Sequence, residues 1–181
     1  MANEVINAIR ERRTVRNFED KQIPDNVLEA LLEAIQWAPS WANTQCWEVV
    51  VIKDPDVKAR VQEVLPKANP ARKSVTAAPV VLALCARLKE SGYYKGEVTT
   101  KFGDWFMFDL GLACQNLCLA AHCLGLGSVI MGLYDQDKVA EVLNVPEGCE
   151  QVALVPVGYP SKIPSAPNRR AVDEFVRGNN F

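Results

Sequence analysis

The chain has 181 residues, of which 49% are apolar and 23% charged, and its formal net charge is −2. That length and balance suit one domain, residues 1–181, with a substantial core, and exclude a disordered chain. The near-neutral charge excludes general attraction to nucleic acid or to an anionic membrane, so an anionic ligand must be held by a local basic cluster.

The opening segment MANEVINAIRERR carries charges every few residues and lacks the apolar core of a signal peptide, which predicts a cytoplasmic protein. Asn3 suits an N-cap, and Glu4 to Arg12 follow as a helix with Val5, Ile6 and Ile9 at helical spacing. Arg12-Arg13-Thr14-Val15-Arg16 ends it. Pro24-Asp25 opens a second helix with the apolar stripe Val27, Leu28, Leu31, Leu32 and Ile35, and Pro39 stops it. Ser40 to Gln45 form a polar loop, and Cys46 to Ile52 read as a buried, β-branched strand. Asp54-Pro55-Asp56 caps a third helix running through Leu65, and Pro79 begins a second strand, PVVLALCA. The stretch 88–104, with Gly92, Tyr93, Tyr94, Lys95 and Gly96, reads as an exposed surface loop or as a cover over a pocket.

Trp105 to Leu126 is the longest apolar stretch, but it carries Asp109, Gln115, Asn116 and His122. A membrane span needs about 20 mostly apolar residues, and an unpaired Asp at bilayer depth costs roughly 3 kcal/mol or more. The segment therefore predicts a helix buried within a soluble fold, ended at Gly125 and Gly127. Ser128 to Met131 follow as a short strand, Asp135 to Leu143 as a helix capped by Asp135, and Gln151 to Val157 as the last core strand. From about 161 to 181 the chain is proline-rich and basic. Its Phe175 and Val176 need a surface to pack on, either a partner subunit or the same chain.

Six cysteines (46, 85, 114, 118, 123 and 149) include no CxxC pair and read as reduced core residues. Cys114, Cys118 and His122 are spaced four apart, so one helix face aligns them. That set could ligate zinc or copper, yet Leu117, Leu119, Ala120 and Ala121 around it read as a plain buried helix.

Arg12, Arg13 and Arg16, beside Thr14, could neutralise the negative end of the first helix, or could donate paired, charge-assisted hydrogen bonds to a dianionic phosphate. Arg169-Arg170 could supply the other side of such a site. The loop Pro39-Ser40-Trp41-Ala42-Asn43-Thr44-Gln45 offers directional hydroxyl and amide groups suited to a heteroaromatic edge or a polyol, or forms an ordinary turn. GxGxxG, GxxxxGK and GxSxG are all missing, and His122 is the single histidine. Chemistry here points to a bound cofactor rather than a side-chain catalytic set.

Several segments together resemble the nitroreductase family of FMN-dependent oxidoreductases: RRTVRNF (12–18), APSWANTQCWEVVV (38–51), DLGLACQNLCLAAHCLGLGS (109–128), VIMGLYD (129–135) and VPVGYP (155–160). Their order and spacing match over nearly the whole chain. The resemblance implies an α+β fold, with an antiparallel-rich central sheet flanked by helices, and an interlocked homodimer with exchanged C-terminal segments. FMN then lies at the subunit interface. Arg12, Arg13, Thr14 and Arg16 are similar to the stretch that holds the FMN phosphate, ribityl chain and part of the ring. Ser40 and Asn43, with the Pro39 and Trp41 backbone, are similar to the loop reaching that flavin from the other subunit, and Gln45 to the Gln that follows. Met131, Gly132 and Leu133 resemble the segment whose backbone faces the ring, and Arg169 or Arg170 would complete the phosphate clamp. Thr14 stands where Ser is commoner, Trp41 where a small residue is usual, and Cys46 where Pro is usual. The indole would narrow the pocket or stack over a substrate. The implied activity moves hydride from NAD(P)H through the flavin to an electron-poor small molecule, such as a nitroaromatic or quinone, with ping-pong kinetics. A flavin carrier without turnover, a flavin reductase, a dehalogenase and the Cys114–Cys118–His122 metal protein are the alternatives.

Overall fold

A computed structural model describes residues 3–181. In chain order the elements are α1 (Glu4–Glu11), α2 (Asp25–Gln36), β1 (Trp47–Ile52), α3 (Pro55–Val64), α4 (Ser74–Ala77), β2 (Val80–Arg87), β3 (Tyr93–Tyr94), β4 (Glu97–Val98), α5 (Phe106–Cys123), β5 (Gly127–Ser128), α6 (Gln136–Leu143) and β6 (Cys149–Gly158). Single 3-10 turns span Trp41–Asn43 and Val172–Glu174.

The helix starts follow their capping chemistry. Asn3 accepts from the Val5 N–H at 3.0 Å, Asp54 from the Asp56 and Val57 N–H groups, and Asp135 from that of Lys138. The first helix stops at Glu11, one residue earlier than expected, which turns Arg12 into extended backbone.

Four strands form the central antiparallel sheet in the order β1-β2-β6-β5. β2 is buried from Val80 to Ala86, as a continuous apolar run predicts for a central strand. β1, expected to be buried, is instead an edge strand in which Glu48 and Val51 are exposed and Ile52 alone is buried. The strand expected from Ser128 to Met131 is reduced to Gly127–Ser128, and Met131 makes only a single bridge to Leu154. The hairpin β3–β4 and the short α4 lie where no regular pattern was read.

Helices cover both faces. On one, α2 and α5 bring Leu28, Leu31, Ile35, Leu117 and Ala121 onto Leu82 and Leu84; on the other, α3, α4 and α6 bring Val61, Val75 and Val139 onto Val81, Ala83 and Leu154. The α+β fold, an antiparallel sheet flanked by helices, is thus as expected.

A further expectation of burial fails on α5. α5 buries only the face carrying Asp109, Leu110, Ala113, Cys114, Leu117, Cys118 and Ala121, while Met107 and Phe108 are each 58% exposed. The stripe of α1 points outward too: only Ala8 is buried, and Val5, Ile6 and Ile9 are exposed. Residues 161–181 are exposed throughout, including Ile163, Val172, Phe175 and Val176. Among the described residues no helix is long and apolar enough to cross a membrane.

Candidate functional site

The basic segment is set by one docking contact. Val15 is 3% exposed, its N–H donates to the Ser128 carbonyl at 2.9 Å, and Thr14 bridges Ser128 in parallel fashion. Gly127 makes this approach possible, because a Cβ there would lie 2.6 Å from Val15 Cβ and Cγ2. The Ser74 hydroxyl then donates to the Arg16 carbonyl at 2.9 Å. Extended backbone alternates its side chains, so with Val15 turned inward its neighbours Thr14 and Arg16 face outward.

Arg12, Arg13, Thr14 and Arg16 line a cavity of about 290 Å³ together with Pro164, Ser165, Pro167 and Arg169. Among the described residues none of these four arginines pairs with a carboxylate. Arg13 does take the helix-end role in part, since its Nη1 donates to the Arg10 and Arg12 carbonyls at 2.6 and 2.8 Å. Gathering guanidinium groups without a counter-charge is unfavourable unless an anion joins them. Of the two tail arginines, only Arg169 lines the cavity. Arg170 is occupied within the tail: its Nε lies 3.3 Å from Glu174 Oε2, its Nη2 donates to the Glu174 carbonyl, and its guanidinium sits 5.9 Å from the Phe175 ring.

A second cavity of about 420 Å³ shares Arg12, Arg13, Pro164 and Ser165 and extends over Cys118, His122, Leu126 and Ser128. Among the described residues no group of three His, Cys, Asp or Glu side chains is placed to hold a metal, so Cys114, Cys118 and His122 share a helix face without forming a metal site. Hydrogen bonding with Cys118, then burial, pushes the Cys114 thiol up; its hydrogen bond, followed by the Ser128 hydroxyl and the Arg12 charge, holds Cys118 down against burial. Two such neighbours carry at most one negative charge between them.

The 131–133 segment continues from β5 along β6, to which Met131 is bridged at Leu154. Met131 spends its N–H and carbonyl on Leu154, at 2.9 and 3.1 Å, so its backbone is not available to a ligand as expected. The Gly132 carbonyl accepts from Gln136 at 3.2 Å, and that of Leu133 accepts from the buried Asn69 at 2.8 Å. The N–H groups of Gly132 and Leu133 have no partner among the described residues, and the space beside Gly132 is open.

The 39–45 loop is built under strain. Ala42, Asn43 and Gln45 have φ of 46°, 56° and 49°, a left-handed conformation that costs residues with a Cβ. The Ser40 hydroxyl accepts from the Gln45 N–H at 2.9 Å, and Gln45 Nε2 lies 3.3 Å from Asn43 Oδ1, so part of the polar set predicted for a ligand closes the loop instead. Arg87 donates to the Gln45 carbonyl at 3.1 Å, and the Trp41 N–H donates to both Asp109 oxygens, at 3.0 and 3.1 Å. Pro39, Asn43 and Gln45, with Gln36 and Trp37, line a cavity of about 450 Å³ that shares no residue with the basic one. Within one chain the loop and the arginines are not brought together.

Sequence reading did not single out Asn69, Ser74 and Ser91, and it used Asp109 only as a charge unfit for a membrane. The signal available was that charge inside an apolar helix; short polar side chains in turns carry none.

The family model described as "Nitroreductase family" matches residues 9–74 and 66–159. The chain belongs to the nitroreductase family. The matched span holds the 12–16 cluster, the loop and the 131–133 segment, but not the tail that brings Arg169. A relative in Archaeoglobus fulgidus, provisionally named NADH dehydrogenase/NAD(P)H nitroreductase, is 32% identical over 167 residues, 87% of this chain and 86% of its own. The FMN reductase [NAD(P)H] of Bacillus subtilis is 28% identical over 88% of this chain and 67% of its own length. The solved structure of a protein from Parabacteroides distasonis, with the same provisional name as the first relative, superimposes with a TM-score of 0.83 at 25% identity, covering 99% of this chain and all of that one.

Proposed function

We propose that this nitroreductase-family chain is an FMN-dependent oxidoreductase that takes hydride from NAD(P)H and delivers it to an electron-poor small molecule. The observation that carries this reading is the cavity where Arg12, Arg13, Arg16 and Arg169 meet Thr14 without a carboxylate among them. That donor set matches a phosphate monoester, and the names of the relatives above supply FMN and NAD(P)H as the class of cofactor and reductant. Arg12, Arg16 and Arg169 would bind the phosphate, Thr14 would add a hydroxyl, and Arg13, anchored on the Arg10 and Arg12 carbonyls, would give a fixed positive charge.

When bound, FMN supplies the hydride-accepting and hydride-donating ring that no side chain here offers. The N–H groups of Gly132 and Leu133, without a partner among the described residues, would be the preorganised donors for negative charge developing at that ring. Reductant and acceptor occupy one place in turn, which gives ping-pong kinetics.

The 39–45 loop serves the cavity of a facing protomer in a homodimer. Support comes from its separation from the arginines of its own chain and from the apolar faces left open: Val5, Ile6 and Ile9 on α1, Met107 and Phe108 on α5, and the tail with Phe175 and Val176. The test is a flavin titration of purified protein, followed by initial rates with each nicotinamide at several acceptor concentrations. Parallel double-reciprocal lines are expected. Intersecting lines would exclude the single shared place, NAD(P)H oxidation limited to one equivalent of bound flavin would reduce the protein to a carrier, and failure to take up FMN would end the reading.

A further inference from the structure

Asp109 lies at the fourth position of α5, 1% exposed, with no cation paired to it among the described residues. A buried carboxylate is expensive unless its oxygens are filled by donors. They are filled from two separate stretches of chain, residues 41–46 and Ser91. The Trp41 N–H reaches both oxygens at 3.0 and 3.1 Å, the Ser91 hydroxyl donates to Oδ2 at 2.6 Å, and the Cys46 thiol lies 3.8 Å from Oδ2. None of these is a helix-capping contact, since Trp41 is 68 residues distant in sequence.

The partners are not arbitrary. Trp41 opens the loop in which Ala42, Asn43 and Gln45 are all left-handed. Such a conformation persists only where the surroundings over-determine it. Ser91 sits at the base of the β3–β4 excursion, is itself fully buried, and its carbonyl accepts from the Trp105 N–H at 2.9 Å just before α5 begins. Gly92, at φ +85°, passes so close that a Cβ would lie 2.6 Å from the Gly103 carbonyl, so the excursion returns along a single tight path.

We propose that Asp109 is a positioning residue that holds the strained 39–45 loop in shape and, through Ser91, ties it to the 88–104 excursion. An apolar side chain would fill the same volume but would leave the Trp41 N–H and the Ser91 hydroxyl without acceptors, freeing both segments. This deepens the proposed function, because the loop it holds is the one assigned to the facing protomer's cofactor.

The experiment is hydrogen exchange read by mass spectrometry on FMN-free and FMN-loaded protein, for wild type, Asp109→Asn, Asp109→Ala and Ser91→Ala, with FMN affinity measured alongside. In Asp109→Ala the amides of 39–46 should exchange roughly ten- to a hundred-fold faster, the range expected for a lost hydrogen bond to a charged group. Asp109→Asn, which keeps one acceptor for Trp41 and can donate to Ser91, should restore part of the protection. Ser91→Ala should speed exchange in 88–104 and affect 39–46 less. β2 and β6 should keep wild-type protection in all three. FMN affinity should fall in the same order as loop protection.

Wild-type exchange at 39–46 in the Asp109 variants would overturn the proposal. So would equal acceleration everywhere, which would make Asp109 a general folding residue. Should Asp109→Ala fail to fold, Asp109→Asn and Ser91→Ala carry the same comparison. Wild-type protein that takes up no flavin, yet follows the expected exchange pattern, sinks the proposed function and leaves Asp109 in its role. Normal flavin uptake with unaltered loop exchange does the reverse.

Discussion

Gly127→Ala tests whether the docking of Val15 on β5 sets the arginine cluster. The added Cβ would meet Val15 Cβ and Cγ2 at 2.6 Å and Cγ1 at 2.8 Å, where ordinary contact begins at 3.4 Å. Rotation of the valine cannot help, because its Cβ is fixed by the backbone. The 14–16 segment must therefore retreat by about 0.8 Å, an overpacking cost of roughly 1–3 kcal/mol. The retreat stretches the 2.9 Å bond from the Val15 N–H to the Ser128 carbonyl and moves Thr14 and Arg16 with it. Loss of one well-aligned donor to a phosphate would weaken FMN binding by roughly ten- to a hundred-fold. Urea midpoints followed by circular dichroism give the first quantity, and quenching of flavin fluorescence the second. Val15→Ala in the same background removes Cγ1 and Cγ2 but keeps Cβ, so recovery should be partial and the two changes non-additive. Lowered stability with unaltered FMN affinity would refute the reasoning, because the arginines would then be held independently of β5.

Three further outcomes are expected. Arg169→Ala should weaken FMN binding by roughly ten-fold or more at low salt, while Arg170→Ala should leave it nearly unchanged, and equal losses in a titration would contradict the division seen between cavity and tail. Trp41→Ser keeps the backbone N–H that Asp109 holds, so it should alter kcat/KM ratios across an acceptor panel more than flavin retention; the opposite pattern would put the indole against the flavin. Burial pushes the Cys46 and Cys85 thiols up to about 11 from 9.0, with the Asp109 charge adding to Cys46. Raised values favour the folded, protonated form, so this stability is complete below pH 9 and is lost as pH climbs toward 11, by at most about 2–3 kcal/mol per thiol. Urea midpoints between pH 7 and 11 should fall, and the fall should shrink in Cys46→Ala; identical slopes in the two proteins would remove the thiols as the cause.

Much of the fold was written in local pattern. The caps at Asn3, Asp54 and Asp135, the proline at 24 and the apolar run of β2 each dictate a start or a burial that the structure repeats. What pattern could not reveal was which apolar face meets which neighbour. Val5, Ile6 and Ile9 on α1, and Met107 and Phe108 on α5, have the spacing of core residues but lie open. A hydrophobic stripe reports only that something covers it. β1 misled for a related reason: β-branched residues suit an edge strand as well as a central one.

The site divides along the same line. Three arginines within five residues were visible as a cluster, but choosing Arg169 over Arg170 needed the tail's own fold, where Glu174 and Phe175 take up the second guanidinium. Met131 looked equivalent to Gly132 and Leu133 until its backbone was found engaged with Leu154. The hold of Asp109 on Trp41 spans 68 positions, beyond the reach of any local pattern.

The features that sequence logic would call mistakes fall together in this molecule. Among the described residues four arginines share a cavity with no carboxylate, three non-glycine residues in four positions are left-handed, and a carboxylate is buried without a cation. The first two cost stability in a lone protomer, whereas the helix caps and the two core clusters agree with the fold. Local conflicts of this kind survive where their surroundings offset them. In the proposed function an anion would offset the first, while Trp41, Cys46 and Ser91 offset the third from within the chain. The second is held from within the chain by the Asp109 oxygens on the Trp41 N–H, and in the proposed homodimer the loop so held would be presented to the phosphate site of the facing protomer.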